Sequence, residues 1–120
     1  MGWTIALHDE LGTIVQVPAF VYGSTIAIHE DVPATIDAEM DLTYNYAQHY
    51  CTAMHPEEGL HWLHGKRAGE TLTRLEHAIK LLGTVRDNNY WEATPGNAGH
   101  ALLYFRDWAR QHPDAIWQVT

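Results

Sequence analysis

Cysteine is nearly absent. Cys51 is the single one in 120 residues, so no internal disulfide can form, and the composition fits a reducing cytosol. Positive charge is scarce too. Seven Lys and Arg residues stand against fifteen Asp and Glu, giving a formal net charge of −8. That argues against direct nucleic-acid binding, which rests on neutralising phosphates with basic side chains. It leaves room for a basic partner protein, although solubility alone accounts for an acidic surface. Prolines number only five, and there is no repeat or low-complexity tract, so the chain reads as globular. No apolar run approaches a membrane span, and the first residues lack the basic start and apolar core of a signal peptide. The expectation is a single cytoplasmic domain with a real hydrophobic core and no membrane association.

The usual signatures of catalysis are missing as well. There is no His-Glu-x-x-His, no Cys-x-x-Cys, no Gly-x-Ser-x-Gly and no Gly-Lys-Ser/Thr. Cys51 falls on an apolar stripe, which suits a small core residue better than a reactive thiolate. No cofactor is expected, and a non-enzymatic role is favoured over an enzymatic one.

What the chain has in quantity is aromatic and imidazole rings: five Trp, six Tyr and nine His. Two apolar runs, 3–7 and 13–17, flank Asp9-Glu10-Leu11-Gly12 and predict a hairpin that Pro18 ends. Residues 20–28 suit either one bulged strand or a turn at Gly23-Ser24 followed by a short strand, with a break at 30–33. Residues 34–44 alternate strictly. Ile36, Ala38, Met40, Leu42 and Tyr44 lie on one face and Asp37, Glu39 and Asp41 on the other. Three carboxylates in a line suit a solvated strand face, or a surface for a basic protein, better than a cation site.

At Asn45, a reasonable cap, the period turns helical. Tyr44, Ala47, Cys51 and Met54 form a stripe that stops before Pro56. A short turn over 59–65 and a basic loop over 66–69 precede an amphipathic helix over 70–82, with Leu72, Leu75, Ile79 and Leu82 on one face and Gly83 as its stop. A polar connection leads to the best-specified helix, 97–111. There Ala98, Ala101, Leu102, Phe105, Trp108 and Ala109 share a face and Pro113 marks the end. Residues 115–119 alternate as a terminal strand. The sum is an α+β fold: antiparallel strands first, then three helices packed on the sheet, with a final strand returning to it.

Two element junctions carry the residues best suited to a site. Tyr44-Asn45-Tyr46 closes a strand and opens a helix. Asn89, Trp91, Thr94, Asn97, Gly99 and His100 surround the start of the 97–111 helix. Both combine flat ring faces with amides that donate and accept, as a pocket for a planar polar ligand requires. The Thr94-Pro-Gly-Asn-Ala-Gly99 turn could offer backbone N–H groups to an anion, and Arg67, Arg74, Arg86 or Arg106 could add charge. The structural reading of the same residues is a capped turn, with Thr94 or Asn97 as cap and Gly99 allowing close packing. His49, His55, His61 and His64 are candidate metal ligands, but their spacing is not that of established zinc helices, and hydrogen-bonded surface histidine explains them too.

Tyr44-Asn45, Pro95-Gly-Asn-Ala-Gly and Pro113-Asp114-Ala115, each at the edge of a helix, resemble a loose family of small phage and bacterial proteins with no assigned activity. The resemblance covers roughly residues 40–119. It implies Tyr44, Asn45, Pro95, Asn97 and Gly99 as shared positions. By analogy with small acidic phage domains, it also implies an inhibitor of a host protein or a sequesterer of signalling nucleotides. The reading that results is a small binding protein for a nucleotide-like ligand at the two junctions, with homo-oligomerisation left open. The alternatives are an acidic inhibitor of a host protein and a histidine-based metal-dependent hydrolase.

Overall fold

A computed structural model of the chain describes residues 2–20, 35–89 and 91–120. The expected strand over 20–28 and the break at 30–33 fall outside them apart from Phe20. The fold is α+β.

Strand β1 (Gly2–His8) buries Ile5 and Leu7, with Trp3 packed against the core. The turn that follows is built by Asp9. Its Oδ1 accepts from the backbone N–H groups of Leu11 and Thr13 at 2.9 and 3.0 Å, the local geometry for which aspartate suits a turn. The predicted hairpin starts here, with Val15 N–H donating to the Leu7 carbonyl at 2.9 Å, but it does not continue. The next strand, β2 (Gln16–Pro18), leaves β1 and pairs antiparallel with β3 (Thr35–Asp37).

Ala38 explains the departure. Its N–H donates to the Val15 carbonyl at 2.9 Å and its carbonyl accepts from Leu7 N–H at 3.0 Å, so the chain changes partner at this one residue. The strand expected over 34–44 is therefore two, β3 and β4 (Glu39–Thr43), although the inward and outward alternation carries through both. A pattern of period two reports which way side chains point and not which strand lies alongside.

The main sheet has the order β4–β1–β5, with β5 spanning Ile116–Val119, and both pairings are antiparallel. Ile5 faces Met40 on one side and Val119 on the other. Beyond the ladder, Thr4 and Thr120 exchange both backbone bonds, at 2.9 and 3.0 Å. The free edge of β5 is closed by the 64–66 segment, where Gly65 N–H donates to the Trp117 carbonyl and Val119 N–H to His64 Nδ1.

Thr43 Oγ1 accepts from Asn45 N–H at 3.2 Å and starts a 3₁₀ turn, Tyr44–Tyr46, that runs into helix α1 (Ala47–Ala53). The cap is thus Thr43 and not Asn45. The tighter turn also shifts the phase of the helix. Tyr46, Tyr50 and Ala53 face the core, where the stripe of Tyr44, Ala47, Cys51 and Met54 was expected; of these only Met54 is buried.

Another 3₁₀ turn, Gly59–Leu63, leads to α2 (Ala68–Leu82), which buries Ala68, Thr71, Leu75 and Ala78. Leu72, Ile79 and Leu82 flank that face half-buried, so of the four apolar residues expected there only Leu75 is fully buried. In α3 (Pro95–Gln111) all six residues of the predicted stripe are buried. Phe105 and Trp108 meet Trp117 of β5 across the core, with ring centroids 5.7 and 6.4 Å away. The Trp117 indole donates to Thr71 Oγ1 at 3.0 Å, and that hydroxyl donates to the Ala68 carbonyl at 2.7 Å, so this polar pair is satisfied in the interior. Among the described residues no helix is long and apolar enough to cross a membrane.

Candidate functional site

The two junctions meet. Released from capping, the Asn45 side chain donates from Nδ2 to the Trp91 carbonyl at 2.9 Å, linking residues 46 apart in sequence. One turn further along, His49 Nε2 lies 2.8 Å from the Ala93 carbonyl, and the Tyr50 hydroxyl donates to the Ala98 carbonyl at 2.9 Å. The start of α1 is therefore fastened to the loop before α3 and to the first turn of α3.

That loop is held from within by Asn97. Its Oδ1 accepts from Asp87 N–H at 2.8 Å, and its Nδ2 donates to the carbonyls of Asn89 and Glu92, both at 3.0 Å. Asn89 Oδ1 in turn accepts from Trp91 N–H at 3.0 Å. Thr94 caps α3, its Oγ1 accepting from Asn97 N–H at 3.1 Å, and Pro95 takes a first-turn position where a missing N–H does no harm. Gly96 and Gly99 serve close packing, the structural reading of this turn. The chain leaving α2 lies directly on them: a Cβ at Gly96 would overlap the Val85 carbonyl oxygen, and one at Gly99 the Gly83 carbonyl oxygen.

Eight of the nine predicted site residues thus separate into two groups. Tyr46, Asn97 and Gly99 are buried and serve packing or internal hydrogen bonds. Tyr44, Asn45, Asn89, Trp91 and the cap Thr94 line the outside, with Tyr44 and Trp91 keeping 44% and 52% of their surface exposed. Tyr44 stands edge-on against Trp3 at 4.9 Å, a support that the strand pattern at Trp3 did not suggest. His100 is half-buried on α3, edge-on to Tyr104 at 5.8 Å. Burial lowers its pKa from the usual 6.5, and the nearby Arg86 guanidinium lowers it further, against an opposing hydrogen bond that the ring donates to the backbone at Thr84.

Beside this surface, a hollow of ≈ 350 Å³ lies between the 82–87 segment and the first turn of α3. Arg86 and Asp87 both line it. Val85, also at its edge, is 85% exposed, an apolar side chain within a connection that reads as polar. The other arginines considered for ligand charge lie elsewhere. Arg74 donates to the Met54 carbonyl and covers the Trp62 ring at 4.6 Å, and Arg106 pairs with its neighbour Asp107 at 3.0 Å.

The candidate metal ligands are dispersed. His55 Nδ1 accepts from the N–H groups of Glu57 and Glu58, at 3.2 and 3.0 Å. His61 and His64 stack face to face at 4.9 Å, while His64 Nδ1 is the acceptor for β5. Among the described residues no three His, Cys, Asp or Glu side chains gather as a metal site.

The acidic face is intact as a surface. Asp37, Glu39 and Asp41 are all exposed, with Gln16 donating to Asp37 at 2.6 Å and Thr4 to Asp41 at 2.9 Å. No protein-family model, curated protein or solved structure matches the chain.

Proposed function

We propose that the chain is a non-enzymatic binding protein for a planar, polar, nucleotide-like ligand that stacks on Trp91 and Tyr44. The observation that supports this reading is the state of Trp91. Its ring is half exposed, yet its backbone is fixed on both sides, by Asn89 at the N–H and by Asn45 at the carbonyl. A large ring on an immobilised backbone loses little entropy when a partner stacks on it, which favours binding. Because the Asn97 amide is fully engaged inside, recognition falls to the rings and to Arg86, which would take an anionic group at the neighbouring hollow.

Thermal-shift and calorimetric titration with nucleotides and signalling dinucleotides tests the reading. At least one ligand should stabilise the protein, and Trp91→Ala should abolish the effect while circular dichroism shows the fold retained. No stabilisation of folded protein by any of them overturns it.

A second reading rests on the exposed carboxylates of Asp37, Glu39 and Asp41. They suit an inhibitor that docks on a basic protein, whose association should weaken with salt and slow on neutralisation. Association unchanged in the combined Asp37→Asn, Glu39→Gln and Asp41→Asn variant sinks that reading.

A further inference from the structure

A groove of ≈ 480 Å³ runs between the turn after β1 and the end of α3, lined by none of the residues invoked above. Leu11, Val15, Pro113 and Ala115 give it apolar walls, and Leu11 at the tip of the turn is 91% exposed. Its charged lining is acidic: Asp9, Glu10 and Asp114. The remaining ionisable group there, His112, has its Nε2 engaged 2.8 Å from the Gln16 carbonyl. The C-terminal end of α3 also faces this groove through Gln111, and the carbonyls of a helix end add partial negative charge. Arg110, in the last turn of α3, does not offset it, because it reaches across to Glu76 on α2 at 2.7 Å. Apolar walls with a wholly negative set of carboxylates match one kind of side chain, a cation at the end of an alkyl stem.

We propose that this groove docks an arginine side chain of a basic partner protein. The stem lies against Leu11, Val15 and Pro113, and the guanidinium is taken by Glu10 and Asp114. Arginine suits the site better than lysine because its guanidinium is weakly hydrated and its planar fork can serve two carboxylates at once. Asp9 is a structural member of the turn, accepting two backbone N–H groups, and contributes field more than contact. The proposal stands apart from the Trp91 surface, so either can fail alone.

The test is a titration of the isotope-labelled full chain, followed by NMR, with capped Gly-Gly-Arg-Gly-Gly and the same peptide carrying neutral citrulline. The arginine peptide should shift the amides of Leu11, Val15, Gln111 and Ala115 in a saturable way, and citrulline should bind about tenfold more weakly or worse. Combined Glu10→Gln and Asp114→Asn should weaken the arginine peptide about tenfold, leaving the rest of the spectrum in place. Glu57→Gln with Glu58→Gln, two exposed carboxylates that do not line the groove, should leave its affinity unchanged. Equal binding of the citrulline peptide, shifts confined to other residues, or equal affinity for a lysine peptide or for spermidine at the same amides would each overturn the assignment.

Discussion

Gly99 in α3 and Gly83 at the end of α2 touch backbone to backbone, with no room for a side chain at the helical position. In an ordinary helix interior, Gly→Ala gains about 1 kcal/mol from propensity. Here the added methyl meets a main-chain carbonyl, which cannot swing aside as a side-chain tip can. Gly99→Ala is therefore expected to destabilise, by about 2 kcal/mol net, read as a lower urea midpoint. A rise in the midpoint would mean that the segment leaving α2 does not lie on α3.

Asn97→Ala removes the three hydrogen bonds that shape the loop. Water can reach some of the partners, so the expected loss is about 2 kcal/mol, well below the sum of three fully buried bonds. Amide exchange should accelerate over residues 87–92 and much less in the interior of α2. Uniform acceleration would show that the loop is not held by this residue.

Thr71→Val keeps shape but strips the acceptor from the Trp117 indole, which has almost no exposure to water. A loss of about 1–3 kcal/mol is expected, with Thr71→Ser close to the parent. A neutral Thr71→Val would mean that the indole N–H finds another partner.

His100 sets a pH dependence with a definite sign. Its pKa is lowered in the folded protein, chiefly by burial and then by Arg86, so below 6.5 the unfolded chain takes up the proton first. Its contribution to stability is complete above 6.5 and is lost as pH falls toward the folded-state value. His100→Gln should flatten the stability profile in that window. Arg86→Gln should bring the His100 titration, followed by NMR, closer to 6.5. An unmoved titration would show that the guanidinium does not act on the ring.

Periodicity exposed most of the architecture. The stripe from Ala98 to Ala109 is long enough to fix both the phase and the length of α3, and each of its residues is buried. Tyr44–Met54 failed because a 3₁₀ turn changes the rotation per residue before α1 begins, and nothing in Tyr44-Asn45-Tyr46 announces it. Partner exchange at Ala38 was equally hidden, since both strands around it keep the same alternation. For the site, the sequence located the junctions but not how their atoms are used. Asn97 and Gly99 can be read as ligand contacts or as structure until the loop they pack against is seen. Trp91 and Arg86 gain interest only from what surrounds them.

The backbone exchange between Thr4 and Thr120 carries a consequence for synthesis of the protein. The central strand of the main sheet is made before both of its neighbours, and β5 is made long after it. Until that segment clears the exit tunnel, Leu7 lacks Trp117 and Ile5 lacks Val119, so a half-made polypeptide exposes an unfinished hydrophobic edge. Completion of the sheet thus waits for the last of its three strands, and a chain stopped before that strand is a natural client for chaperones.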